Sequence, residues 1–185
     1  MADGISRRSL ILGASALPLA ACSNPIGNNN AARIDRRVSA AVDFMVQEVP
    51  GTQELVDTAS GMLVMPLVTE AGFGIGGAYG RGALLINGAT VDYYSAISGS
   101  VGLQIGAQQY AHTLFFMTPA ALSDFRGSVG WSVGADARYA VNTQAGTLGF
   151  DTASIAEPVI AVIYGQAGLI IGATLEGTRY TRIIP

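Results

Sequence analysis

The chain contains no lysine: all ten of its basic side chains are arginine, set against thirteen acidic ones. It also has a single histidine, a single cysteine and a single tryptophan among 185 residues. One cysteine excludes an intramolecular disulfide and any cysteine-based metal site. One histidine, His112, with Tyr110 and Thr113 as neighbours and no acid close by in sequence, gives no basis for a catalytic triad, which needs a base held by a third group. His112 reads as a strand or rim residue without catalytic consequence. No spacing of acids around it suggests a metal site, and no cofactor is expected. Only 12% of the residues are charged while half are hydrophobic. Even so, no apolar run outside the first 22 residues approaches the 18 or so needed for a spanning helix. A net charge of −3 argues against broad nucleic-acid binding.

What the chain has in excess is glycine, 24 residues, and much of it lies in a repeated cassette. The copies are Gly99–Ala107 (GSVGLQIGA), Gly127–Ala135 (GSVGWSVGA) and Gly165–Ala173 (GQAGLIIGA), with a looser one at Ala71–Gly77 (AGFGIGG). In a strand, alternate side chains point to opposite faces, so each cassette sends large apolar groups one way and glycines the other. Interior strand glycine costs about 0.5 to 1 kcal/mol against alanine. Something is therefore expected to approach the bare backbone closely: a helix, a second sheet layer, a tight barrel bend or an acyl chain. The G-x-G-x-x-G at Gly72–Gly77 is not a dinucleotide fingerprint, because Gly80 and Gly82 follow where that motif needs a helix.

Residues 1–21 read as a signal peptide. Arg7 and Arg8 form the basic region, Leu10–Ala20 the apolar one, and Leu19-Ala20-Ala21-Cys22 resembles a bacterial lipobox. Cys22 would then carry the acyl chains of a lipoprotein, anchored in a membrane. Ser6-Arg7-Arg8-Ser9-Leu10 also resembles a twin-arginine export signal. Ser23, in place of a retention aspartate, makes the outer membrane the default destination, on the periplasmic side of a bacterial envelope. Without residues 1–21, eight arginines face twelve acids. Residues 22–32 read as the lipidated cysteine and a flexible Asn-rich spacer, and 33–185 as one domain.

Within that domain, Ile34, Val38, Ala41, Val42, Met45 and Val49 repeat at helical spacing until Pro50-Gly51, and a second short helix is expected from Thr52 to Ser60. Arg33, Arg36 and Arg37 cluster at the end nearest the tether. As a solvated helix face they need no partner, and as a contact for anionic head groups each contributes about 1 kcal/mol near an anionic surface. After Gly61 the period becomes two. Strands are expected at Met62–Val68, where Pro66 marks an edge or bulge, at Gly72–Ile86, and beyond the Asn87-Gly88 hairpin signal at Thr90–Ser95 and Gly99–Met117. Phe73, Ile75, Tyr79 and Leu85 share one face of the second of these. Thr118-Pro119 signals a helix to about Arg126. Further strands are expected at Val129–Val141, Thr147–Phe150, Val159–Tyr164 and Gly168–Ile183. The class is α+β: a mainly antiparallel β meander or partly closed barrel with N-terminal helices and one short helix near 119–126. Aromatic residues, Trp131 among them, are assigned chiefly to the core.

The blocks Gly61–Leu85, Gly99–Gln108, Leu114–Thr118, Val133–Asp136 and Gly168–Gly177, in that order, resemble the SYLF domain family over about Ala59–Gly177. This family occurs in bacterial lipoproteins and eukaryotic endocytic adaptors. The resemblance implies a non-enzymatic phospholipid-binding domain, with phosphoinositide and actin association in eukaryotic members. It makes membrane phospholipid the expected partner. The candidate lipid-binding positions are Arg33, Arg36 and Arg37, which correspond loosely to the family's basic segment, and the bare-face glycines Gly72, Gly74, Gly76, Gly102 and Gly106. A structural envelope or outer-membrane scaffold, built as a small β-barrel, is the alternative, since Gly-rich alternating strands also suit lipid.

Overall fold

The computed structural model describes residues 30–134, 139–142, 157–168 and 175–185. Helix α1 (Asn30–Glu48) and helix α2 (Thr52–Thr58) lead into two very long strands, β1 (Gly61–Ile86) and β2 (Ala89–Phe116). Helix α3 (Pro119–Gly127) follows, then β3 (Trp131–Ser132), β4 (Tyr139–Asn142), β5 (Val159–Gly168) and β6 (Arg179–Ile183). The sheet runs β3-β6-β2-β5-β4, with β1 on the other edge of β2. All pairs are antiparallel except β4 with β5. The expected α+β class holds, in its partly closed form: a curled half-barrel sheet.

Several local expectations are met. Asn87 (φ 51) and Gly88 (φ 76) form the hairpin turn. Thr118 accepts the Ala121 amide at 3.2 Å and caps α3 as its Thr-Pro signature requires. Pro66 sits in the register shift between Met65 and Val68, and β1 is also an edge strand. The α1 residues Ile34, Val38, Ala41 and Met45 are buried, while Arg33, Arg36 and Arg37 are exposed. Helix α1 takes in Asn30–Ala32, three residues of the stretch read as spacer.

Other expectations are corrected. The two strands foreseen on each side of the hairpin are continuous, because bulges bend the ribbon without ending it. The order is not a meander: beyond β1, β2 pairs with β6 through Tyr93–Ile97 and with β5 through Gln108–Phe116. A single strand thus spans two half-sheets. Of the strand foreseen at Val129–Val141, β3 takes Trp131–Ser132 and β4 begins at Tyr139, Gly134 between them takes φ 89, and residues 135–138 lie outside the described residues. Of the strand foreseen at Gly168–Ile183, β5 ends at Gly168, residues 175–178 form a turn and β6 covers Arg179–Ile183, while 169–174 and Thr147–Phe150 lie outside the described residues.

The partition of faces holds at Gly80 and Gly82, but Tyr79, assigned with most aromatics to the core, lies outside it. Ile75 and Tyr79 are exposed, at 76% and 47%, and it is their small neighbours, Ala78 and Gly80, that face inward. A Cβ on Gly80 would lie 2.7 Å from Val68 Cγ2 and 2.9 Å from the Leu67 carbonyl, and one on Gly82 would overlap the Val64 carbonyl oxygen. About fifteen residues of straight strand would separate those segments by roughly 50 Å. β1 therefore curls until its second half packs against its own beginning. The expected close approach to bare backbone is real here, and the approaching layer is the strand itself. At Gly99 and Gly106 the expectation fails: a Cβ would meet nothing within 4 Å, and Gly106 is required instead by its φ of 145.

The curl separates two cores. Leu63, Met65, Leu84, Tyr94, Leu114 and Phe116 fill the concave side with Phe125, Trp131 and Tyr180. Met62, Val64, Leu85, Phe115, Ile160 and Val162 cover the convex side beneath α1 and Leu55 of α2. Gly82→Ala is expected to lower unfolding stability by at least about 2 kcal/mol through overpacking, whereas Gly99→Ala leaves it within about 1 kcal/mol. Guanidinium melts followed by the emission of buried Trp131 measure both.

Candidate functional site

On the convex face, where the first turns of α1 cross the β1 bulge, lies a groove of about 250 Å³. Arg33 and Arg37 enter it from α1, Pro66 and Leu67 from the bulge, and Tyr79 and Arg81 from the curled-back half of β1. Each position has a local cause. Arg33 and Arg37 are one helical turn apart and so share a side of α1. Tyr79 and Arg81 are two residues apart on the exposed parity of a strand. Gly80 between them lines the groove too, and its missing side chain is what brings this stretch against Leu67 and Val68.

The groove is cationic. Arg81 Nε donates to the Tyr79 hydroxyl at 2.6 Å, with its guanidinium 5.8 Å from the Tyr79 ring centroid. Arg33 donates to Asn30 Oδ1 at 3.3 Å. Among the described residues no carboxylate pairs with Arg33, Arg37 or Arg81. The nearest acid in sequence, Asp35, is engaged elsewhere: it accepts from the Tyr93 hydroxyl at 2.9 Å and from Thr90 at 3.1 Å, fixing α1 on β2. Burial, then the Asp35 hydrogen bond and charge, push the Tyr93 phenol pKa up. Glu70 accepts from Gln108 Nε2 at 2.7 Å. Ion pairs form instead at Asp92, which takes Arg126 at 3.2 Å and Arg182 at 3.5 Å. Three guanidinium groups without a counter-charge, rimmed by exposed Leu67 and Tyr79, suit an anion attached to something apolar.

Of the residues singled out from the sequence, Arg33 and Arg37 line this groove, and Arg36 is exposed without lining it. Gly72 and Gly76 lie further along β1 beside a second bulge, where a Cβ on Gly72 would come within 2.6 Å of the Gly76 Cα. Gly72 is paired with Gly106 on β2. None of these three glycines lines the groove. Cys22 lies outside the described residues, as do the surroundings of Gly74 and Gly102. Arg81 and Tyr79 were missed. Arg81 is the one charged residue between Glu70 and Asp92, a signal that was available. Its nearness to Arg33 was not.

His112 is no rim residue. It is fully buried in β2, its Nε2 is 2.7 Å from the Tyr180 hydroxyl, and its Nδ1 has no partner. Burial holds its pKa down at about 3. Among the described residues no acid stands behind it, and no group of three metal-ligating side chains occurs. No described helix is long and apolar enough to cross a membrane.

An α+β domain on a curled half-barrel ribbon, with a cationic groove at its helix-covered face, is the class these features define. Residues 97–182 match the family model described as Ysc84, Las17-binding protein actin regulator. Residues 97–182 are thus similar to that family, which is the SYLF family the glycine-rich blocks resemble. The match begins inside β2, so β1 and α1 lie upstream of it. A comparison with curated proteins found no match.

His112 sets an acid limit on this domain. The unfolded chain takes up its proton near pH 6.5 and the folded one only near 3, so the folded state binds fewer protons between those values. Its contribution to stability is complete above pH 6.5 and is lost as pH falls towards 3, at up to about 1.4 kcal/mol per pH unit. His112→Gln is expected to flatten the dependence of the Trp131 unfolding midpoint on pH between 6.5 and 4.5. A slope equal to that of the unaltered protein would assign it to other groups.

Proposed function

We propose that this protein is a membrane-tethered lipoprotein whose domain binds anionic phospholipid through the Arg33, Arg37 and Arg81 groove, without catalysing a reaction. The observation that carries the reading is the gathering of three arginines, two from α1 and Arg81 from β1, around a hollow with no ion-paired carboxylate among the described residues. The chain is acidic overall, so an anionic surface repels most of it, and this face is where attraction prevails within a Debye length. The tether agrees with the geometry. Seven residues lie between Cys22 and Asn30, where α1 begins beside the groove, and the eight Cα steps reach about 29 Å at most. Acyl chains on Cys22 would hold the arginines close to the bilayer in which they are embedded. We place this membrane in a bacterial envelope, facing the periplasm, with the outer membrane as the default. The scaffold or small-barrel reading has less support: α1 packs over the convex face, where a lipid-embedded barrel presents apolar side chains to hydrocarbon.

Mature protein, residues 22–185 with Cys22→Ser and so without leader or acyl chains, is expected to co-sediment with phosphatidylglycerol vesicles at low salt and to dissociate as salt rises. Replacing Arg33, Arg37 and Arg81 together by Gln should weaken this at least tenfold, at about 1 kcal/mol per arginine. Arg36→Gln should do less than either groove arginine alone. Equal sedimentation with uncharged phosphatidylcholine vesicles, or an unaffected triple variant, would overturn the proposal.

A further inference from the structure

Beside the arginine groove lies a second hollow, of about 280 Å³, with an apolar lining. Ala41 and Phe44 of α1, Tyr110 of β2 and Tyr164 of β5 line it, together with Pro66 and Leu67, which also line the arginine groove. The two hollows therefore adjoin at the β1 bulge. Phe44 is 45% exposed and Leu67 37%, so two large apolar side chains face this space with part of their surface in water. The Phe44 ring stacks on Tyr164 with centroids 6.3 Å apart and planes 23° from parallel. The ring lies in van der Waals range of Gly165, whose φ of 60 favours glycine: a Cβ there would be 3.7 Å from Phe44 Cε1. The Tyr164 hydroxyl is turned away to Thr113 Oγ1 at 3.1 Å, so the ring and not the phenol is offered to the hollow.

Helix α1 joins the two ends. Arg33, Arg37, Ala41 and Phe44 succeed one another at spacings of four, four and three, which makes them one stripe along the helix. Phe44 stands about 10 Å beyond Arg37 along the axis. A cationic end passes into an aromatic and aliphatic end with no carboxylate along the way. That is the polarity of an amphiphile with a phosphate head and a hydrocarbon chain.

We propose that the two hollows form one site for a single phospholipid molecule: the phosphate lies among Arg33, Arg37 and Arg81, and one acyl chain leaves the bilayer, passes Leu67 and lies against Phe44 and Tyr164. This rests on the head-group reading above and adds to it a hydrocarbon slot, so that the domain holds a lipid out of the membrane plane as well as docking on a surface.

The test uses the mature protein, residues 22–185 with Cys22→Ser, and monoacyl phosphatidylglycerols of increasing chain length, each below its micellar concentration, with glycerol 3-phosphate as the chainless probe in chemical-shift titrations. Each methylene that enters the slot should raise affinity about fourfold, and the rise should stop once the slot is full. Phe44→Ser, at a half-exposed residue that does not line the arginine groove, should abolish the chain-length dependence and leave glycerol 3-phosphate binding within twofold. Gln at the three arginines should weaken every member of the series by a similar factor. Affinity independent of chain length, or a rise without plateau that the Phe44→Ser protein retains, would overturn the slot. If phosphatidylglycerol vesicles still bind in that case, the surface reading stands and the single-lipid site alone is lost. A plateauing series untouched by the arginine replacements would overturn the shared site and the head-group reading together.

Discussion

The fold depends on a close backbone contact inside one strand. Where Gly80 and Gly82 meet Val64, Leu67 and Val68, β1 touches itself across a length that would otherwise carry its ends far apart. Any side chain at Gly82 would occupy the space of a peptide carbonyl, so the curl and the glycine are one requirement. From the curl follow the separation into a concave and a convex core, the division of β2 into two half-sheets, and the position of Arg81 beside a helix that precedes it by more than thirty residues.

Helix α1 is held to this surface by two kinds of contact. Its apolar stripe, Ile34, Val38, Ala41 and Met45, is buried on the convex core, and Asp35 receives hydroxyl hydrogen bonds from Tyr93 and Thr90. The second contact has an electrostatic effect as well as a mechanical one. It occupies the carboxylate that would otherwise be available to Arg33 and Arg37, just as Gln108 engages Glu70. The arginine groove is left without neutralising partners by the hydrogen bonds that assemble the domain.

Much of this was legible in the sequence. Helical spacing marked α1 and its buried stripe, Asn87-Gly88 marked the hairpin, Thr118-Pro119 marked α3, and Pro66 marked both a bulge and an edge. Those signals are local, and their physics is complete within a few residues. The alternation at Ile75 to Gly82 gave the two faces but carries no sign: period two says which residues share a face, not whether the large ones turn inward. Here the curl leaves no room for them, so Ala78 and Gly80 take the inner side. The glycine cassettes misled in another way. Similar words serve a close approach at Gly72 and a positive φ at Gly106, Gly134 and Gly165. Half of the candidate site was visible in Arg33 and Arg37. Its other half came from the return of β1, which no short-range pattern encodes.

The edge position of β1 has one more consequence. β1 pairs with β2 and with no other described strand, so 26 residues of backbone carry one ladder edge on which a second copy of the chain could add a strand. Such an addition requires a straight, regular template. Pro66 withdraws an amide from the edge, and the shifts at Met65/Val68 and Phe73/Ile75 turn the remaining groups out of a common line. The irregularities that bend the ribbon into its shape therefore also guard it against self-association, and straightening them would put solubility at risk together with form.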